Sequence, residues 1–246
     1  DEPHLVVARI KMSGDAEPDT VDIFVDPTLD EEPAQPDATR VFGTRLNNGF
    51  NGIGIKVEGL GPGIITEYDD IYVGLEYADV IPEDYEILEN PVSAIAVERF
   101  SYTAGDTLEG LGDMAEGWAG PWESLFEPDS SVVVARGVFN DELLVRTNGN
   151  SARITSDGTT NRFQRLFAEP FESGEEFWFS THLSISGNPA GNVGTFILVD
   201  TTIAGEGFRK VIMGKQFGNR NLFVTGGGGA QQTGVQFEGA AGRWLV

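Results

Sequence analysis

Apolar and polar residues alternate with a period of two along much of this chain. In His4–Met12 (HLVVARIKM), Val6, Ala8, Ile10 and Met12 fall on one side, Arg9 and Lys11 on the other. That is the signature of a half-buried strand. Thr20–Asp26 (TVDIFVD) repeats it with Val21, Ile23 and Val25 inward, and Pro27, which cannot donate to a ladder, ends it. The two segments are predicted to pair antiparallel. Ile53–Val57 and Ile64–Val73 read as further strands, bounded by the turn residues Asn47–Gly52, Gly59–Gly63 and Gly74.

In the second half, short strands are predicted at Ser131–Ala135, Leu143–Arg146, Ala152–Thr155 and Arg162–Phe167. Glu176–Ser186 (EFWFSTHLSIS) is the most regular, with Phe177, Phe179, Thr181, Leu183 and Ile185 on one face and Trp178, Ser180, His182 and Ser184 on the other. Thr195–Val199, Lys210–Met213 and Asn221–Thr225 complete the series. The Gly-rich run Gly117–Trp122 is too broken for a helix and reads as a loop anchored by Trp118 and Trp122. Many short strands at regular turn spacing predict an all-β, antiparallel β-sandwich.

Composition narrows this picture. The 246 residues are 40% hydrophobic and 10% aromatic, enough for one large sandwich or two small domains. Thirty-two Gly and 12 Pro suit a fold with many turns. Sixteen Lys+Arg against 39 Asp+Glu give a formal net charge of −23. So acidic a chain has no basic stripe for phosphates or for an anionic membrane surface, and no run of eighteen or more apolar residues occurs, so neither nucleic acid nor membrane insertion is expected. Acidity of this kind keeps a protein soluble in a salty medium, or supplies carboxylates for a cation. No cysteine is present, which points to a bacterial or archaeal exterior rather than a disulfide-bearing eukaryotic one. The opening DEPHLVVARIKM lacks the basic and apolar regions of a signal peptide and reads as a mature, processed or excerpted chain. Residues 83–97, carrying Glu83, Asp84, Glu86, Glu89 and Pro91, read as an acidic linker.

Three blocks, taken together, resemble a laminin-G-like, concanavalin A-like jelly roll of large exported bacterial surface proteins. They are Glu98–Trp122 (ERFSYTAGDTLEGLGDMAEGWAGPW), the middle from GEEFWFSTHLSI to FRKVIMGKQFG, and His4–Pro82, with HLVVARIKMSG, DTVDIFVDP and ITEYDDIYVGLEYADVIP. The resemblance implies a concanavalin A-like sandwich and, often, one calcium ion at its rim. It also implies an anomaly of order. In the family, the segment resembling Glu98–Trp122 opens the domain and the strand resembling Asp69–Gly74 closes it. Here the closing strand comes first, so 1–82 resembles the C-terminal part of a sandwich and 98–246 the N-terminal part of the next, or of the same one permuted. Arg243–Val246 at one chain end and His4–Val7 at the other resemble the same strand position written twice. Three accounts fit: a permuted single domain, one period of a tandem array, and a head-to-tail polymer. A half-sandwich alone leaves an open sheet edge, a template for another chain.

Little in the chain looks like catalytic machinery. Glu67, Asp69 and Asp70 put three carboxylates in four residues, but the E-x-D-x-x-E run of sandwich glucanases is missing. No Ser stands in G-x-S-x-G, and Gly226–Gly229 lacks the Lys-Ser/Thr of a phosphate loop. Calcium, a hard cation needing several oxygens, has candidate ligands in Glu67, Asp69, Asp70, Asp200, Asn219 and Asn221; capped turns and solvated carboxylates account for the same residues. Trp118, Trp122 and Trp178 are either buried anchors or platforms for sugars. The expectation is a non-enzymatic, extracellular or cell-surface structural or adhesive repeat unit. Its main partner is the next copy of itself, joined into a fibre by strand completion. The alternative is a lectin-like carbohydrate-binding module, calcium-dependent or not.

Overall fold

The computed structural model describes residues 4–14, 17–42, 46, 49–59, 62–81, 94–114, 116–125, 131–134, 139–140, 145–146, 149–157, 160–172, 174–186, 192–199, 209–215, 221–225 and 231–236. Its strands are β1 (His4–Lys11), β2 (Asp19–Val25), β3 (Ala38–Phe42), β4 (Phe50–Gly59), β5 (Pro62–Gly74), β6 (Ala96–Glu98), β7 (Glu123–Ser124), β8 (Ser131–Val133), β9 (Phe139–Asn140), β10 (Val145–Arg146), β11 (Ala152–Asp157), β12 (Thr160–Phe171), β13 (Glu176–Ser186), β14 (Asn192–Val199), β15 (Arg209–Lys215), β16 (Asn221–Thr225) and β17 (Gln231–Gln236). Among the described residues, a 3-10 turn, Tyr77–Asp79, interrupts them. No helix among the described residues is long and apolar enough to cross a membrane.

The strands form an all-β, antiparallel sandwich. One sheet runs β3-β2-β1-β13-β5-β11-β8, with β6 also bonded to β5; the other runs β17-β16-β15-β14-β4-β12-β7. Strands from the first third of the chain sit inside both sheets. β1 lies between β2 and β13, β5 between β13 and β11, and β4 between β12 and β14. The pairing is long and regular: β1 meets β13 from His4↔Leu183 to Lys11↔Glu176, and β4 meets β14 from Gly59↔Asn192 to Gly52↔Val199. Residues 4–81 and 94–236 thus share both sheets.

The alternation seen in sequence becomes the two faces of the first sheet. Val6, Ala8, Ile10, Val21, Ile23, Ile71, Val73, Phe177 and Phe179 point into the sandwich, where they meet Ile53, Ile55, Val57 and Phe163 from the second sheet. The hydroxyl of Tyr68 on β5 reaches across and donates to the Lys56 carbonyl on β4 at 3.1 Å. Phe50, Phe171 and Phe177 stack at one end, with centroids 4.5 to 5.0 Å apart, within the spacing that favours aromatic pairs.

The outer face of this sheet departs from the period-two expectation. Leu5, Val7, Phe24, Tyr72 and Trp178 are buried on it, covered by Tyr77, Val80 and Ile81. The chain leaves β5 at Gly74, where a Cβ would come within 2.2 Å of Asp79 Cβ, so the glycine permits the close fold-back. Asp79 holds the turn by accepting the Leu75 and Glu76 amides at 3.0 and 2.9 Å. Ser180 then donates to the Val80 carbonyl at 2.5 Å. Simple alternation therefore sorts β1 by face but mistakes a second buried layer for solvent.

Strand limits agree closely for β13 and β16, while β3, β6 and β17 lack the apolar alternation that would reveal them. β6 corrects the linker reading. Ala96 and Val97, assigned to the connector, are buried and pair with Val73 and Tyr72. Residues 82–93 of the connector and the terminal Arg243–Val246 lie outside the described residues.

Gly117 is the tightest point of the 98–122 segment. It has φ +88°, and a Cβ there would stand 1.8 Å from the Ile95 carbonyl oxygen. Its own carbonyl accepts the Ala168 amide at 2.8 Å, and the Glu116 carbonyl accepts the Val97 amide at 3.0 Å. Gly117→Ala therefore adds a clash with backbone to a left-handed strain. A loss of at least ~2 kcal/mol of stability is expected, to be read from the urea midpoint; an unchanged midpoint would contradict this packing.

Candidate functional site

The segment from Glu98 to Trp122 encloses a buried ion pair. Glu98 ends β6, and Arg165 lies in the middle of β12 on the opposite sheet. Their side chains form an ion pair, with 3% of the carboxylate side chain and 4% of the guanidinium side chain exposed. Each makes further hydrogen bonds beyond that pair. Glu98 Oε1 accepts the Phe100 amide at 2.6 Å, while Oε2 accepts the Tyr102 hydroxyl at 2.7 Å and the Trp122 indole N–H at 2.8 Å. Arg165 donates from Nε to the Gly120 carbonyl and from Nη2 to the Asp113 carbonyl, each at 2.9 Å, and lies over the Trp118 ring at 4.8 Å. A buried pair is tolerable only when its remaining donors and acceptors are met in this way.

Around the pair the loop is pinned by aromatic rings. Trp118 stacks on Phe167 at 5.2 Å and donates its indole N–H to the Val97 carbonyl at 2.7 Å. Trp122 stacks on Phe100 at 5.9 Å. Both indoles are buried, so the anchor reading of Trp118 and Trp122 holds. Trp178 is buried too, stacked on Phe24 beneath the Arg9 guanidinium. Burial, helped by the neighbouring Glu98 charge, pushes the Tyr102 hydroxyl pKa well above its usual value. It stays protonated and remains a donor to Glu98. Above the pair opens a cleft of about 360 Å³, lined by Glu98, Arg99, Ser101, Tyr102, Asp113 and Glu116 among others. Two of its residues or their neighbours, Phe100 (φ 48°) and Glu116 (φ 52°), hold left-handed backbone without being glycine. Such strain persists only where surroundings enforce it.

The sequence-based calcium candidates are spread over both sheets. Glu67, Asp69 and Asp70 lie on β5 of the first sheet, and Asn221 opens β16 of the second. Asp200 and Asn219 lie outside the described residues. The Glu67 carboxylate receives Arg153 Nε at 2.8 Å and Nη2 at 2.5 Å. Asp69 is buried, and its Oδ1 accepts the Asp70 amide at 2.9 Å. Asp70 sits in a bulge with φ 44°: Ser180 faces Tyr72 and His182 faces Asp69, so Asp70 and Ile71 together stand opposite Thr181. No group of three His, Cys, Asp or Glu side chains that would hold a metal occurs among the described residues.

Sequence reasoning passed over two sites. Glu98 and Arg165 look like ordinary surface charges, 67 residues apart, one beside Arg99 and the other near Arg162, and nothing in the sequence marks them as partners. His182 was placed on the outward face of β13 without a role. His182 is buried, and neither ring nitrogen meets a hydrogen-bond partner among the described residues. Burial lowers its pKa to about 4.

Comparison with protein-family models and with curated proteins finds no match for this chain.

Two outcomes follow from this geometry. Removing one partner of the buried pair strands the other, so Glu98→Ala should cost about 3–5 kcal/mol. The double change Glu98→Leu with Arg165→Met should recover much of that loss, as read by chemical unfolding. For His182 the sign is set by its lowered folded pKa. Above pH 6.5 it is neutral in both folded and unfolded chains and contributes no pH dependence. Between 6.5 and about 4 only the unfolded chain takes up the proton, so stability falls as pH falls, by roughly 3 kcal/mol in all. His182→Leu should therefore lose less stability than the parent between pH 7 and pH 4.5. Equal losses would show that the imidazole is not buried as neutral.

Proposed function

We propose that this chain is a non-enzymatic structural or adhesive unit of an extracellular assembly, laminin-G-like in kind, whose main partner is another copy of itself. One observation carries the reading. Residues 4–81 supply interior strands to both sheets built with residues 94–236, and neither part forms a closed sandwich alone. The pairs β1–β13, β4–β12 and β4–β14 specify register residue by residue. The same register serves equally when the two parts come from consecutive copies. Exchange of this kind is heterologous and open, so it builds filaments rather than closed rings. A net charge of −23 keeps unassembled copies apart in solution and suits an exported location. The Glu98–Arg165 pair, tied to both sheets and to the 98–122 loop by its hydrogen bonds, reads as a framework feature rather than a reacting group. The second reading is a lectin-like module, which the cleft above that pair favours.

The assembly reading is tested by unfolding the purified chain in urea at high concentration, diluting out the denaturant, and measuring mass by light scattering after size exclusion. Dimers and longer open chains that grow with concentration are expected. A compact monomer at every concentration would overturn the intermolecular form of the proposal.

A further inference from the structure

In the first sheet β13 lies between β1 and β5, so both of its edges are bonded by strands of residues 4–81. The ladders run from His4↔Leu183 to Lys11↔Glu176 on one side and from Gly74↔Trp178 to Ile65↔Ser186 on the other. β1 and β5 thus frame a slot one strand wide. Backbone ladders accept almost any extended sequence, and side-chain pockets decide which one is taken. Trp178 enters a socket that residues 4–81 supply. Its ring stacks on Phe24 with centroids 5.8 Å apart, meets Tyr77 edge-on at 5.3 Å and lies under the Arg9 guanidinium at 5.3 Å. The Tyr77 ring is itself held by its hydroxyl, which donates to the Thr28 carbonyl at 2.5 Å. Two hydroxyls of β13 are met as well: Ser180 donates to the Val80 carbonyl at 2.5 Å and Thr181 to the Asp69 carbonyl at 3.0 Å.

The slot also fixes register. Phe177 and Phe179 enter the core on the face opposite Trp178, so a slip of one residue would drive the indole into the sandwich and both phenyl rings out of it. The bulge at Asp70 and Ile71 stands opposite Thr181 and adds a second mark of position. β4 makes the converse insertion, between β12 and β14, with Ile53, Ile55 and Val57 in the core. Its outward positions include Gly52 and Gly54, which present no side chain to be read. β13 is therefore the more selective of the two insertions. We propose that the slot between β1 and β5 is a strand-acceptor site whose ligand is an extended peptide of the β13 pattern Phe-Trp-Phe-Ser-Thr, with Trp178 deciding which strand is admitted, and that in an assembly this ligand is β13 of the neighbouring copy. The choice of that occupant rests on the assembly reading. An open chain of copies then ends in one empty slot.

The test refolds the whole chain from urea with a molar excess of a fluorescently labelled peptide of residues 174–186, then separates bound from free label by size exclusion with light scattering. The label is expected to elute with the protein, and the mean mass to fall below that of the chain refolded alone, because the peptide closes the empty slots. Trp178→Ala in the peptide should lower the captured label about tenfold or more, since a large ring seated in a formed socket carries much of a binding energy. A peptide of β4, residues 50–59, should be captured more weakly than the β13 peptide. These changes lie in the peptide, so the folding of the chain is untouched. Label captured by a chain that stays monomeric would support the site and remove only the assembly reading. Assembly without captured label, equal capture of the Trp178→Ala peptide, equal capture of the β4 peptide, or a monomeric chain with no label would each overturn the proposal.

Discussion

The buried contact between Glu98 and Arg165 ties together parts of the chain that local sequence would leave separate. The carboxylate ends β6 in one sheet and the guanidinium stands in β12 of the other, so the pair spans the sandwich. Removing two charges from water is costly, and attraction offsets that cost only if every remaining donor and acceptor is met. Here the meeting partners are the Phe100 amide, the Tyr102 and Trp122 donors, and the Gly120 and Asp113 carbonyls. The 98–122 loop therefore has one arrangement in which the pair is affordable. Its glycines at 112 and 117 and its left-handed Phe100 and Glu116 follow from that demand.

The same constraint shapes what the molecule can do. An ion pair buried between the sheets fixes the loop that carries Arg99 and Glu116. Interleaving is the second organising fact. Because β1, β4 and β5 occupy interior positions, separating residues 4–81 from the rest would break both sheets at their centres rather than peel off an edge. Free edges of this length are templates for pairing.

His182 shows a different kind of cost. It lies on β13 between Leu5 of β1 and Asp69 of β5, at the seam where the two parts of the chain meet. An imidazole without partners is tolerable there only while neutral, so the seam carries a built-in sensitivity to acid.

The sequence by itself determined the fold class, the positions of most strands and the core-facing residues of β1, β2 and the first half of β13. Period-two alternation and turn residues are local signals, and Val6, Ala8 and Ile10, or Phe177 and Phe179, carry them plainly. It also placed Trp118 and Trp122 as anchors, because large aromatics in a Gly-rich loop have few other ways to be accommodated. Only the tertiary structure decided the partners. It brought the rotated segments into one pair of sheets, laid Tyr77–Ile81 over a face that alternation assigns to solvent, and drew β6 out of an apparent linker. It joined Glu98 to Arg165 across 67 residues and gave Glu67 to Arg153 across 86. A charge carries no mark of its partner in the sequence. Burial and pairing are properties of the space between strands, and that space exists only once the strands have met.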